Sequence, residues 1–119
     1  MKGAAVMDWK ELDDQVTVAW QIGPEDVPRI AAAGYKCVMC NRPDGEEAGQ
    51  PDWDEIADTC RAHGIEPRYV PQADRNPTEY AINGFAKAMA ETPGKVFAFC
   101  RTGTRCEILY NAVKARKAG

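Results

Sequence analysis

The sequence predicts an α/β domain, residues 1–119, with a central, mainly parallel sheet of about four or five strands flanked by helices. Three observations carry this. Short apolar runs alternate along the chain with segments of helical period, the order that gives a parallel sheet. Two of the runs, "YKCVMC" and "KVFAFC", are continuously apolar, as strands covered on both faces are. The chain is 119 residues long, 45% hydrophobic and 28% charged, which suits one soluble domain with one real core.

The elements follow in order. "VTVAW" (Val16 to Trp20) alternates at period two and is the first strand. "GPEDVPRIAAAG" is a short helix: Pro24 suits its first position, Glu25 and Asp26 sit at its positive end, and Gly34 ends it. Pro28 makes its first turn irregular. "YKCVMC" (Tyr35 to Cys40) is a buried strand, and the turn-rich "NRPDGEEAGQP" is a loop. "DWDEIADTCRAHG" is a helix with Trp53, Ile56, Ala57 and Cys60 on one stripe. "IEPRYV" is a short strand that Pro67 demotes to an edge. In "NPTEYAINGFAKAMAETPG", Asn76 is expected as N-cap, Pro77 as first residue and Glu79 as the capping-box partner, with Ile82, Phe85, Ala86 and Met89 inward. "KVFAFC" is a buried strand. The last helix starts near Arg105, with Ile108, Leu109, Ala112 and Val113 as its stripe.

Composition excludes several classes. A net charge of -3 argues against general nucleic-acid binding. No apolar run is long enough to span a bilayer, and no signal peptide is evident, so a cytoplasmic location is expected, with residues 1–7 a loose tail. Five cysteines, an odd number, point to reduced thiols. Cys37 and Cys40 spell CxxC but lie in a strand, where residues three apart face opposite ways, so they are packing residues. Cys60 belongs to a helix stripe, which leaves no second half for a zinc site. His63 ends a helix, and the tryptophans suit the core or its edge. Asp52, Asp54, Glu55 and Asp58 form a solvated helix side. No metal site and no cofactor is expected.

The chemistry concentrates in "FAFCRTGTRC". It reads as strand, short loop, helix, with Cys100 at the carboxyl end of a buried strand, where α/β sheets place ligand sites. Gly103 lets the loop curl, and a curled loop points successive N–H groups inward as an anion nest. The helix start adds positive charge, and both effects favour thiolate at Cys100. Arg105 can clamp an oxyanion with two parallel hydrogen bonds. Thiolate, cradle and clamp together describe covalent catalysis on a small anionic substrate.

"CRTGTR" also resembles the active-site loop of rhodanese-type sulfurtransferases. The stretch from "VTVAWQIGPED" through "NRPDGEEAGQP" resembles the phosphatase-like domain of the beta-lactamase-hydrolase-like proteins, a family similar to small dual-specificity (tyrosine-type) phosphatases. This resemblance covers nearly the whole chain. It implies the phosphatase-like form of the fold, Cys100 as nucleophile and Arg105 as anion binder. It implies Arg101, Thr102, Gly103 and Thr104 as the cradle. Asn41, Arg42 and Asp44 match "NRPDGE", either at the pocket rim or as a hydrogen-bonded turn. Some relatives look phosphatase-like; others are linked to persulfide dioxygenases and look like sulfur carriers.

Sulfur and phosphate chemistry then compete. Tyrosine phosphatases keep five residues between cysteine and arginine; here there are four, as in many rhodaneses. A shorter loop loses an inward N–H, and a phosphoryl group has three equatorial oxygens to satisfy. The expectation is therefore transfer of sulfane sulfur through a Cys100 persulfide, from a persulfide or thiosulfate. The alternative is a phosphomonoesterase working through a phosphocysteine. "YVPQADRNP" resembles the dual-specificity-phosphatase stretch that carries a general acid, which would make Asp74 that acid; otherwise Asp74 is a solvated loop residue. A non-catalytic anion-binding module is a third reading. Cys106 stands where phosphatases usually carry Ser or Thr. It is either a second thiol able to take a persulfide or a disulfide, or a small residue of the first helical turn.

Overall fold

A computed structural model describes residues 9–118. The expected tail, 1–7, lies outside them. Among the described residues, five strands are β1 (Lys10–Glu11), β2 (Val16–Ala19), β3 (Tyr35–Cys40), β4 (Glu66–Tyr69) and β5 (Lys95–Phe99), and four α-helices are α1 (Val27–Ala32), α2 (Trp53–Ala62), α3 (Glu79–Glu91) and α4 (Thr104–Ala118). The sheet order is β1-β2-β5-β3-β4, antiparallel between β1 and β2 and parallel elsewhere.

The continuous apolar runs are explained by two-sided cover. From β5, Val96 and Ala98 face a cluster with Ile82, Phe85 and Met89 of α3 and Leu109 and Val113 of α4. Phe97 and Phe99 face the other cluster, with Val27 and Ile30 of α1 and Trp53, Ile56 and Cys60 of α2. Cys37 lies in the first cluster and Cys40 in the second, on opposite faces of β3. Phe85 is fully buried, so truncating it to alanine would destabilise the fold by about 3–5 kcal/mol. β4 is an edge strand, where Pro67 removes no needed ladder bond.

Four expectations are corrected. β1 is an added edge strand of two residues, too short to carry a periodic signal. β2 stops at Ala19, so Trp20, 41% exposed, lies beyond the strand. α3 begins at Glu79, and its N-cap is Thr78, whose hydroxyl accepts the Ala81 N–H at 3.1 Å. Asn76 and Pro77 stay outside the helix because side chains hold that stretch in a loop. Asp74 Oδ1 accepts the Asn76 N–H at 2.8 Å, and Gln72 Oε1 accepts the Thr78 N–H at 3.2 Å. The buried stripe of α4 is Cys106, Leu109, Tyr110 and Val113, with Ile108 and Ala112 only half-buried. That rotation lets the Tyr110 hydroxyl reach Asp13 at 2.7 Å. The irregular start of α1 is a 3-10 turn, Pro24–Asp26.

Candidate active site

The three parallel strands β2, β5 and β3 end together, and ladder bonds continue past them into loops. The Cys100 N–H donates to Ala19 O at 3.3 Å, the Asn41 N–H to Phe99 O at 2.8 Å and the Gln21 N–H to Arg101 O at 3.2 Å. The loop after β5 is thus clasped by the ends of both neighbours. Gly103 has φ +91°, a conformation that L side chains rarely adopt, so glycine is required there by backbone geometry. This curl brings its N–H to Cys100 Sγ at 3.0 Å.

Cys100 is fully buried, yet its thiol is lowered from 9.0 to about 5. The largest cause is a hydrogen bond from the Cys106 thiol; the N–H groups of Cys106, Thr102 and Arg105 add to it and outweigh burial. Burial alone does the reverse elsewhere: Cys37 is raised to about 11, and Cys40 and Cys60 to about 12. Cys106, fully buried beside the Cys100 thiolate, is pushed well above its ordinary value. Two adjacent thiols therefore share one proton, and it resides on Cys106.

α4 begins at Thr104, so the N–H groups of Arg105 and Cys106, at its first turn, point back at the sulfur. The N–H groups of Thr102, Gly103, Arg105 and Cys106 all meet the Cys100 sulfur across this four-residue spacing. Thr102 and Thr104 share a hydroxyl contact at 3.1 Å above the cradle.

Arg105 is held as a clamp. Its Nη1 donates to Glu46 Oε2 at 2.7 Å and to Gln72 O at 2.8 Å, and its Nη2 donates to Glu46 Oε1 at 2.9 Å. Cys100 is its further partner. Glu46 is shared with Arg42, whose Nε donates to Glu46 Oε1 at 2.9 Å. The two guanidiniums keep the Glu46 carboxyl below its usual range, Arg105 contributing most. Arg42, 3% exposed, also donates to Gln21 Oε1 at 3.0 Å and Glu47 Oε1 at 2.7 Å. Arg42 thus braces Glu46, the carboxylate that also holds Arg105, and it lines a pocket with Glu46, Glu47 and Arg101. Asn41 is buried and donates to Val70 O at 2.8 Å, while its Oδ1 has no protein partner. The Asp44 carboxylate accepts the Trp53 N–H at 3.0 Å at the start of α2, the contact expected of a hydrogen-bonded turn.

Asp74 is exposed on the loop facing the cradle. It lines a cleft of about 250 Å³ with Arg75, Arg101, Thr102, Thr104 and Arg105. The loop is shaped by Gln72, 2% exposed, whose amide donates to Asp74 O at 3.0 Å and Asn76 O at 2.7 Å. Sequence reasoning missed Glu46 and Gln72. The signal for Glu46 was present: a largely buried arginine demands an anionic partner, and "NRPDGEE" ends in two.

Comparison with known proteins follows the same line. Residues 8–117 match the family described as "Beta-lactamase hydrolase-like protein, phosphatase-like domain". A beta-lactamase hydrolase-like protein of Agrobacterium fabrum is 37% identical over 99 residues, 83% of this chain and 23% of that protein. The chain thus spans about a quarter of the length of that relative. Among solved structures, a proposed phosphatase from Neisseria meningitidis Z2491 aligns with TM-score 0.82 and 31% identity, over 92% of this chain and 78% of that one. The active form of Tk-PTP shares the fold, with TM-score 0.66 and 17% identity over 89% and 80%. The fold is that of the tyrosine and dual-specificity phosphatases. These matches favour the phosphatase alternative over sulfur transfer, and neither the rhodanese likeness of the loop nor a link to persulfide dioxygenases finds support in them.

Proposed function

The chain belongs to the beta-lactamase hydrolase-like protein phosphatase-like domain family, and from that premise we propose that it is a cysteine-dependent phosphomonoester hydrolase. The observation that carries the reading is the Cys100 thiol, lowered to about 5 beneath converging N–H groups while the thiols of Cys37, Cys40, Cys60 and Cys106 are all raised. Only Cys100 is a thiolate at neutral pH, and it lies next to the clamped Arg105.

The chemistry runs in two displacements. Cys100 Sγ attacks phosphorus; the S–P bond forms as the P–O bond to the leaving group breaks. Asp74 gives its proton to the departing oxygen. Loop N–H groups and Arg105 bind the equatorial oxygens, where charge is spread in the transition state. Water then attacks phosphorus, Asp74 accepts its proton, and the S–P bond breaks to release inorganic phosphate. The Cys106 S–H receives the returning thiolate, in the position where related enzymes use a hydroxyl. Arg101, Thr102, Gly103 and Thr104 form the cradle, with Gly103 supplying the curl.

The test is hydrolysis of p-nitrophenyl phosphate by the whole chain and by Cys100→Ser. Phosphate release that the serine variant lacks supports the reading. Release that survives in the variant, or is absent from the wild type, sinks it.

A further inference from the structure

We propose that the substrate carries a second anionic group on its leaving-group side, seated between Arg75 and Arg101, so that the site selects small diphosphates or bisphosphates over isolated phosphomonoesters. This deepens the phosphatase reading above and rests on it.

Four arginines surround the loop, and they divide sharply by engagement. Arg42 and Arg105 are nearly buried and bound to Glu46, with Arg42 also on Glu47 and Gln21. Arg101 is different: its side chain is 63% exposed, and its ion-pair partner is Glu47 at a loose 3.6 Å. Glu47 is already taken by Arg42 at 2.7 Å. Arg75 is exposed and makes no ion pair or side-chain hydrogen bond among the described residues. Both exposed arginines line the same cleft of about 250 Å³, together with Arg105, Thr102, Thr104 and Asp74.

Charge in that cleft is unbalanced toward the cation. Its one carboxylate, Asp74, already accepts the Asn76 N–H. Arg75, Arg101 and Arg105 all line the cleft beside that single carboxylate. Converging arginines gain most from a bidentate oxyanion such as phosphate. The reacting phosphoryl group is served by the loop and Arg105, so Arg75 and Arg101 serve something else. Arg75 follows the proposed acid directly, which sets the second anion on the group that departs.

The experiment measures binding, so that it does not depend on turnover. Calorimetry on the Cys100→Ser protein compares inorganic diphosphate with orthophosphate, and a hexose bisphosphate with its monophosphate. At least one ligand with two phosphate groups is expected to bind about tenfold or more tightly than its single-phosphate partner, at low salt. A preference for diphosphate marks adjacent phosphates; a preference for the hexose bisphosphate marks separated ones. In Arg75→Ala/Arg101→Ala, checked for folding by circular dichroism, the ratio should fall toward one. Equal affinities, or a ratio unmoved by the double variant, overturn the proposal. Turnover is scored separately. Preference without hydrolysis keeps the rim and rejects the phosphatase reading; monoester hydrolysis without preference does the reverse.

Discussion

Replacing Cys106 by alanine should raise the titration midpoint of Cys100. The Cys106 S–H is the largest cause of the depressed thiol, and it acts from a fully buried position. A hydrogen bond to a charged group contributes about 1.5–3 kcal/mol. At about 1.36 kcal/mol per pH unit, its loss moves the midpoint up by roughly one to two units. The backbone N–H groups remain, so Cys100 should then titrate well above 5 yet still below its ordinary 9.0. The assay is the alkylation rate of Cys100 by iodoacetamide, resolved by peptide mapping, between about pH 4 and pH 9. Cys106→Ser keeps an O–H donor and should hold the wild-type midpoint. Cys60→Ala, remote from the loop on α2, should leave it unmoved. An unchanged midpoint in Cys106→Ala refutes the shared-proton account, as does a wild-type midpoint near 9.

Three further outcomes follow from the same geometry. Glu46→Gln removes the carboxylate that grips Arg105 through two bonds. It should lower kcat/KM for an aryl phosphate by roughly ten- to a hundredfold, mainly in kcat; a change confined to thermal stability would assign Glu46 a purely structural role. Asp74→Asn should slow poor leaving groups far more than good ones across a series of aryl phosphates, whereas a uniform loss would remove Asp74 as the acid. Folding stability should rise with pH between about pH 5 and pH 9, because the unfolded chain keeps the Cys100 proton that the native state has released. That contribution is lost as pH falls through about 5, and its ceiling is about 5 kcal/mol. The carboxyls of Asp13 and Glu46 titrate below this window, and the raised thiols of Cys37, Cys40 and Cys60 above it. Urea midpoints measured near both ends of the window should differ in the wild type and converge in Cys100→Ser; equal slopes in both proteins would contradict the assignment.

The parts legible in the sequence were those governed by burial and local backbone chemistry. β3 and β5 read as buried strands because each is covered on both faces, and Gly103 marked the curl because few residues tolerate its φ. The stripe Trp53, Ile56, Ala57 and Cys60 was fully inward, as its spacing requires. What escaped depended on contacts distant in sequence. Glu46 meets Arg105 across 59 residues, and Thr78 replaces the expected Asn76 cap because Gln72 holds the stretch before it in a loop. The preference for sulfur rested on counting residues between Cys100 and Arg105. The comparisons favour the phosphatase reading instead, and four N–H groups still meet the Cys100 sulfur at this spacing.

Intact-protein mass spectrometry after rapid acid quench tests the central claim most directly. The wild-type chain is mixed in parallel with an aryl phosphate, thiosulfate and glutathione persulfide, and the adduct on Cys100 is identified by peptide mapping. A phosphoryl adduct on Cys100 that decays with release of inorganic phosphate, and that Cys100→Ser never forms, is the result expected. A persulfide on Cys100 from either sulfur donor, with no phosphoryl adduct from the ester, would contradict it and restore sulfur transfer as the reaction.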